Sequence, residues 1–442
     1  MGSCRRFNRL LVAFVWLGIS CGTAFGAETS PKIDSGDTAW VLASSALVLM
    51  MTVPGLALFY GGMVRRKNVL SILMQNFVLA GLVTVQWVLV GYSLAFSGDD
   101  SALIGGLKWI GLHGVSFAAP SAYAPTVPHQ AYMIFQCMFA IITPALITGS
   151  FAERITFRGF LLFSLLWSTL IYDPLAHWVW SLGGWLHRLN ALDFAGGTVV
   201  HISSGISSLA AALIIGRRNG YPQVPMPPHN LTLTLTGAGL LWVGWFGFNA
   251  GSAVAANGLA VLAFVATHVA TAAGLLAWVA MEWKIRKKPT TLGAASGAIA
   301  GLVAITPASG YVDPLAAIVI GAVAGSLCFL AVNAKHYFGY DDALDVVGVH
   351  GVGGIWGSLA TGLFANHLVN PAGGDGLFYG NPSQLGVQLV AVVAAVTYAF
   401  VGSFLLLKLV DAWVGLRVSS EEESLGLDLS EHNESAYALE VI

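Results

Sequence analysis

The sequence has 442 residues, of which 56% are hydrophobic and only 10% are charged, and its formal net charge at pH 7 is -2. Soluble domains carry roughly 25% charged residues, so this composition excludes an ordinary soluble enzyme and favours a membrane protein. The slight negative charge argues against nucleic acid as a partner, because nucleic-acid binding needs basic surfaces. The four cysteines show no disulfide or metal-ligand spacing, so we expect no metal and no cofactor.

Residues 1–26 have the pattern of a secretory signal peptide. Arg5, Arg6 and Arg9 form its basic region, an apolar stretch follows, and small residues lie before Ala27. Such a leader is removed after export. We therefore expect the mature chain to begin outside the cytoplasm.

About eleven apolar segments follow the leader, each close to the length that a helix needs to cross a bilayer. Their predicted bounds are 38–63, 69–96, 130–152, 157–180, 195–216, 230–251, 258–281, 291–308, 311–331, 345–366 and 385–412. We therefore predict an all-α polytopic membrane protein, with a transmembrane domain over residues 27–416 and a tail over residues 417–442.

Basic residues are concentrated in the loops that follow the odd-numbered predicted spans. Those loops hold Arg65, Arg66, Lys67, Arg154, Arg158, Arg217, Arg218, Lys284, Arg286, Lys287, Lys288 and Lys335, whereas the alternate loops hold only Lys108 and Arg188. Because cytoplasmic loops are the basic ones, we predict an extracytoplasmic N-terminus and a cytoplasmic C-terminus in the cell inner membrane, with lipid around the bundle.

The fifth and tenth predicted spans each place a histidine after an aspartate. The pairs are Asp193 with His201, and Asp345 with His350. Five spans per half reverse the direction of the second half, so the pattern predicts an inverted five-helix repeat of spans 1–5 and 6–10. Transporters of this kind place their site near the midplane between the halves. An ionisable group inside lipid is costly and marks a pathway, which favours function over a plain helix contact for both histidines.

The aspartates near these spans have structural as well as functional interpretations. Asp193 can cap the start of its helix, or raise the local concentration of a cation at the outer face, and the two roles are compatible. For Asp345 the sequence favours a cap. Asp173, inside the fourth span, is more typical of a hydrogen bond between helices than of a ligand.

Aromatic residues suggest a cation site near the outer face. Phe135 and Phe139 lie one turn apart, Trp180 ends the fourth span, and Phe248 lies one turn before Ser252. An indole face beside a hydroxyl oxygen suits a small cation, although tryptophans also form belts at the membrane interface.

The remaining histidines are predicted to be solvated in outer loops or at span ends. They are His113, His129, His177, His187 and His367. The sequence assigns no role to His268, which lies midway along the seventh span. The tail, with Glu421, Glu422 and Glu423, has the composition of a solvated acidic end.

Longer motifs resemble the ammonium transporter family, in the bacterial Amt branch of the Amt/Mep/Rh superfamily. They are PGLALFYGGMVRRKNVLS from Pro54, FAER from Phe151, YDPLAHWVW from Tyr172, DFAGGTVVHISSGISSLAAALIIGRR from Asp193, GWFGFNAGSA from Gly244 and DVVGVHGVGGIWG from Asp345. The resemblance covers essentially the whole mature chain.

The resemblance implies a homotrimer of eleven-helix subunits, each with its own pore. The matching positions are Trp180, Phe139, Ser252 and Asp193 at an outer ammonium recruitment site, Phe139 and Phe248 at a pore gate, and His201 and His350 as the pore's twin histidines. It also implies that the tail gates the pore and contacts a PII-family signal protein. At His268 the family would have a different polar residue.

Selective ammonium uptake for nitrogen metabolism is the function that these features predict. Ammonium and potassium are alike in size and charge, but only ammonium can lose a proton and cross an apolar lumen as a neutral molecule. The moving species is NH3, with or without H+, and methylammonium is a further candidate substrate. An ammonium sensor that signals through the tail and a passive NH3/CO2 channel stay open as alternatives. An enzyme is disfavoured, because Ser203 and Ser204 follow His201 without forming a triad.

Overall fold

The computed structural model describes residues 32–98 and 101–437. The predicted signal peptide over residues 1–26 lies outside the described residues. Most of the described chain is helical, but Pro120–Ser121 and Ala124–Pro128 pair as a short antiparallel hairpin. The all-α prediction is therefore correct except for this hairpin, which lies between the second and third spans.

We number the helices in chain order. They are α1 Ser35–Met63, α2 Arg66–Phe96, α3 His129–Phe151, α4 Phe157–Arg188, α5 Gly197–Ile215, α6 Leu231–Gly251, α7 Gly258–Arg286, α8 Thr291–Ile305, α9 Pro314–Phe338, α10 347–364, α11 Pro382–Val414, α12 Ser420–Leu425 and α13 Leu427–Ser430. Short 3-10 turns occur at Ile110–Leu112 and Leu377–Tyr379.

Nine of the helices in the described ranges are long and apolar enough to cross a membrane. They are α1 to α7, α9 and α11. The other two predicted spans are also helical, but α8 is shorter and α10 begins with a π-helical turn, Val347–Gly351. The structure therefore supports a polytopic membrane protein, while the count of eleven spans stays a prediction.

The outer surface of the bundle is apolar. Phe77, Leu89, Val261, Leu276 and Leu315 are each more than half exposed, although they lie on spanning helices. Exposure of such an apolar surface to water would be energetically costly, whereas exposure to lipid is not.

Helix ends are set by local sequence. The Asn257 side chain accepts hydrogen bonds from the first backbone N–H groups of α7, and Asp313 does the same for α9, whose first residue is Pro314. Asparagine and aspartate are favoured before a helix because their side chains accept from its free N–H groups. Proline is favoured as the first residue because it has no N–H group that needs a partner.

Glycines let α5 and α10 approach each other closely. A Cβ atom on Gly205 of α5 would lie 2.1 Å from the backbone nitrogen of Gly351 on α10. Any larger residue at position 205 would clash at that distance. Small residues allow the same close approach at other contacts between membrane helices. The contact places the histidine-bearing turns of the two helices side by side.

Buried ion pairs fasten the end of the bundle that the positive-inside rule predicts to be cytoplasmic. Glu153 accepts from Arg65 at 2.6 Å and from Arg218 at 3.3 Å, and Arg218 also pairs with Asp341 at 2.9 Å. Arg154 is fully buried and donates to backbone carbonyl oxygens. Burial lowers the pKa of Arg154 to about 10, so the guanidinium stays charged at neutral pH.

The tail packs on this end of the bundle. The Glu423 carboxylate is buried and accepts from the Asn219 N–H at 2.6 Å and from Arg417 at 2.8 Å. Lys67 donates to the carbonyl oxygens of Glu423 and Ser424. The prediction of a solvated acidic tail is therefore wrong for Glu423, because a loop N–H group, that of Asn219, and the Arg417 side chain of the tail itself bind its carboxylate.

Two histidines that were predicted to be solvated are buried. His177 contacts the carbonyl oxygens of Ala95 and Ser101 at 3.0 and 2.9 Å through its two ring nitrogens. His129 bonds to the Tyr92 hydroxyl at 2.6 Å. Both predictions are wrong because the end of α2, with Tyr92 and Ala95, and the loop residue Ser101 supply polar partners to these rings.

Candidate functional site

A cavity of about 690 Å³ opens at the end of the bundle opposite the tail. Phe139, Trp180, Asp193 and Ser252 all line it, and we name it the outer vestibule. The four residues predicted for cation recruitment therefore lie around one space, although they come from α3, α4, the loop before α5 and the residue after α6.

Trp180 and Ser252 offer the groups that a small cation needs. The Trp180 indole N–H donates to the Asp193 carbonyl oxygen at 3.0 Å, which fixes the ring. The Ser252 hydroxyl donates to the Phe248 carbonyl oxygen at 2.8 Å. Because the serine proton is used in that bond, its oxygen presents lone pairs, and an ammonium N–H can donate to them.

Asp193 caps the start of α5. Its carboxylate oxygens accept from the N–H groups of Gly196, Gly197, Thr198 and Val199 at 2.7 to 3.2 Å. The cap interpretation is therefore confirmed. Since four donors already bind the carboxylate, its effect on a cation in the vestibule is through charge and not through direct contact.

Two phenylalanines form the floor of the vestibule. The rings of Phe139 and Phe248 stack with centroids 4.1 Å apart and an angle of 20°, and both residues are buried. Phe135 packs against Phe139 edge to face at 5.0 Å, and Trp180 does so from the vestibule at 5.8 Å. A hydrated ion therefore cannot pass without movement of these rings.

His201 and His350 meet below the floor. Their Nδ1 atoms are 3.3 Å apart, and both side chains are buried. The centroid of the His201 ring lies 6.1 Å from that of Phe248, so the histidine pair lies directly below the two phenylalanine rings. Each histidine lies on a π-helical turn, Gly197–Ile202 or Val347–Gly351, as is frequent at functional sites.

The partners of Thr306 indicate how the protons of the pair are arranged. The Thr306 hydroxyl donates to the Leu302 carbonyl oxygen at 2.7 Å and accepts from the Trp245 indole at 2.9 Å. His201 Nε2 lies 3.3 Å from the same oxygen and is assigned as a second donor. Nδ1 of His201 then accepts from Nδ1–H of His350, because a neutral imidazole has one donor and one acceptor.

The path ends in a much smaller cavity on the tail side. This inner cavity has about 10 Å³ and is lined by Phe59, Tyr60, Asp345 and His350, among others. Asp345 forms an ion pair with Lys335. A wide outer cavity and a narrow inner cavity therefore lie on opposite sides of the stacked rings and the histidine pair.

The prediction that Asp345 caps α10 is wrong. Asp342 holds that place, since its carboxylate accepts from the Val347 N–H at 2.7 Å, while Asp345 binds Lys335 instead. The same number of residues separates Asp342 from His350 as separates Asp193 from His201. That equal spacing is the signal in the sequence that identifies Asp342.

Other residues that the sequence raised lie off the path. Asp173 is buried and accepts from Gln86 of α2 at 2.7 Å, so the predicted hydrogen bond between helices is confirmed. His268 is exposed on the outside of the chain, against Trp242 at 5.4 Å. The hydroxyls of Ser203 and Ser204 donate to backbone carbonyl oxygens, so their protons are not directed at the His201 ring.

No group of three or more histidine, cysteine or acidic residues suited to a metal ion occurs within residues 32–98 and 101–437. The arrangement of charges, rings and hydroxyls suits a small cation at the vestibule and a small neutral molecule below it.

Known proteins are similar to this chain in both sequence and fold. A family profile described as Ammonium Transporter Family matches residues 39–437. An ammonium transporter of Bacillus subtilis is 54% identical over 91% of this chain and 98% of its own length. Ammonium transporter Amt1 of Archaeoglobus fulgidus is 49% identical over 92% of this chain and 100% of its own length.

The fold is similar to that of the crystal structure of Saccharomyces cerevisiae Mep2. That comparison has a TM-score of 0.83 and 38% sequence identity, and covers 88% of this chain and 89% of the other. Together, the match across nearly the whole chain and the similar fold show that this chain belongs to the ammonium transporter family.

Proposed function

We propose that this chain takes up ammonium by binding NH4+ in the outer vestibule, removing its proton and conducting NH3 past the histidine pair. The observation that carries the proposal is the continuous sequence of vestibule, stacked Phe139 and Phe248, and joined His201 and His350. Membership of the ammonium transporter family supports ammonium as the substrate.

Recruitment follows from the vestibule residues. The Trp180 face attracts a cation through its ring quadrupole, and the Ser252 oxygen accepts one N–H bond. The charge of Asp193 raises the cation concentration nearby. Potassium also binds such a site, so recruitment alone does not give selectivity.

Selectivity arises at the gate and below it. Moving an intact ion between Phe139 and Phe248 into a buried path costs several kcal/mol or more, because its hydration is not replaced. Ammonium avoids this cost by giving its proton to water in the outer vestibule, whereas potassium has no proton to give. Neutral NH3 then exchanges hydrogen bonds with His201 and His350, and the proton follows along the hydrogen-bonded pair, so that a net positive charge crosses and a current results.

Assembly and location complete the proposal. We propose an eleven-span inverted repeat in the cell inner membrane, assembled as a homotrimer, with the domain over residues 27–416 following a cleaved leader. The tail over residues 417–442 regulates transport and contacts a PII-family signal protein. The tail's packing on Lys67, Arg217 and Asn219 supports a regulatory role, because its movement would disturb those loops.

Current measurement on a solid-supported membrane tests the transport function. Proteoliposomes of the purified chain receive an ammonium pulse and a matched potassium pulse. A current with ammonium alone is expected. Silence with both cations but tight ammonium binding by calorimetry would favour a sensor, and silence with fast internal alkalinisation would favour a passive ammonia channel.

A further inference from the structure

A glutamine of α11 holds the backbone next to the vestibule aspartate. Gln388 is fully buried. Its side-chain Oε1 accepts from the Leu192 N–H at 2.7 Å, and its Nε2 donates to the Leu192 carbonyl oxygen at 2.8 Å. One amide thus binds both polar backbone groups of one residue, which fixes the position and direction of the chain there.

The same amide connects three parts of the bundle. Its Nε2 also donates to the Ser358 carbonyl oxygen of α10 at 3.0 Å. The Ser358 hydroxyl in turn lies 3.4 Å from that of Thr198 in α5. Gln388 therefore links α11, α10 and the loop that leads into α5.

The residue after Leu192 carries the recruitment geometry. Asp193 caps α5 with its carboxylate, and its carbonyl oxygen receives the Trp180 indole N–H. A shift of Leu192 would move that carbonyl and release the indole from its present angle. Gln388 lies outside the set of residues that line the vestibule, so its influence on a cation passes through this backbone.

We propose that Gln388 is a positioning residue for cation recruitment, which holds Leu192 and thereby the Trp180 indole and the Asp193 charge in the geometry that binds ammonium. The inference rests on the proposed function and deepens it. A merely structural glutamine would change the yield or the thermal stability of the protein and leave the affinity for ammonium unchanged.

Substitution of Gln388 and of a second buried glutamine separates these roles. Gln388→Met keeps the side-chain length and removes all four hydrogen bonds of the amide. Gln86→Met, on α2, removes the bond to the Asp173 carboxylate. Gln86 is also buried and lies outside the residues that line the outer vestibule, so this variant serves as the matched control. The ammonium concentration for half-maximal current should rise about tenfold for Gln388→Met, and less than about threefold for Gln86→Met.

Maximal current is normalised to the amount of folded protein. If Gln388→Met does not fold, Gln388→Asn replaces it, because asparagine keeps the amide but is too short to reach both groups of Leu192. A rise in half-saturation with a preserved maximum supports the proposal. Unchanged half-saturation with a lowered Tm would overturn it.

A double variant tests whether Gln388 acts through Trp180. In a Trp180→Leu background, Gln388→Met should raise half-saturation by less than about twofold, because the positioned ring is gone. Full additivity would overturn the proposal. Absence of an ammonium current with the unsubstituted protein would contradict the proposed function instead. In that case the ammonium dissociation constants of the same variants, measured by calorimetry, test the role of Gln388.

Discussion

The two histidine-bearing turns have the same local construction. Before α5, the Asp193 carboxylate binds backbone N–H groups and His201 follows on a π-helical turn. Before α10, the Asp342 carboxylate binds the Val347 N–H, and His350 follows on a second π-helical turn at the same spacing. This shared construction explains why the two rings meet.

The surroundings of the two turns differ. The turn of α5 lies below a vestibule of about 690 Å³ with Trp180 and Ser252, whereas the turn of α10 lies beside an inner cavity of about 10 Å³ with Asp345. Asp345 is already paired with Lys335. The comparison shows that the two turns share one construction while their surroundings differ, and in the proposed function the wide outer surroundings are the ones that collect the cation.

Removal of either capping carboxylate should have a large effect on stability, and the effect should be larger for Asp193 than for Asp342. Asp193→Ala leaves four buried N–H groups without their acceptor, so we expect the free energy of unfolding to fall by about 3 kcal/mol or more. Asp342→Ala removes the Val347 bond and should cost about 1 kcal/mol. Denaturant unfolding in detergent measures both, and equal losses would contradict the difference.

Removal of the indole should affect recruitment more than stability. Trp180→Leu should raise the ammonium concentration for half-maximal current about tenfold, because a partly desolvated cation–π contact contributes about 1 to 2 kcal/mol. Trp178→Leu is the control, since that ring bonds to the Leu103 carbonyl oxygen and lies outside the outer vestibule. Equal shifts in the two variants would show that the site is elsewhere.

Breaking the inner ion pair should change half-saturation little. Lys335→Met leaves the Asp345 carboxylate without its partner and should lower thermal stability, since a partly buried charge loses its counter-charge. We expect the half-saturating ammonium concentration to stay within about twofold, because electrostatic attraction from the distant end of the path is screened. A large rise would mean that both ends take part in recruitment.

Substitution of His268 should have the smallest effect. The ring lies on the outside of the chain, beside Trp242. His268→Leu should therefore keep both half-saturation and potassium exclusion. A variant that conducts potassium would place His268 on the path after all.

The histidine pair could be singled out from the sequence because ionisable residues are rare inside lipid, and His201 and His350 lie in apolar segments. Trp180 and Ser252 could be assigned to the vestibule because they lie in long motifs that resemble the family. The spanning helices could be predicted because a run of about 20 apolar residues is uncommon outside a membrane.

Residues that depend on a distant partner are the ones that the sequence does not reveal. The position of Asp345 next to α10 suggests a cap, yet Lys335 binds its carboxylate. His177 resembles a solvated residue, because nothing local shows that the carbonyl oxygens of Ala95 and Ser101 close over it. In the sequence, Gln388 is only a polar residue in an apolar helix, because nothing nearby in the chain shows that it binds the backbone of Leu192.

The central claim is that the histidine pair, and not the stacked phenylalanines alone, excludes an intact ion. Its most direct test is the double variant His201→Ala and His350→Ala in proteoliposomes, with ammonium and potassium pulses on a solid-supported membrane and His268→Leu as the matched control. Loss of both rings opens the dry path to water, so we expect a current with potassium in the double variant and none in the control. Ammonium current with unchanged exclusion of potassium in the double variant would contradict the claim.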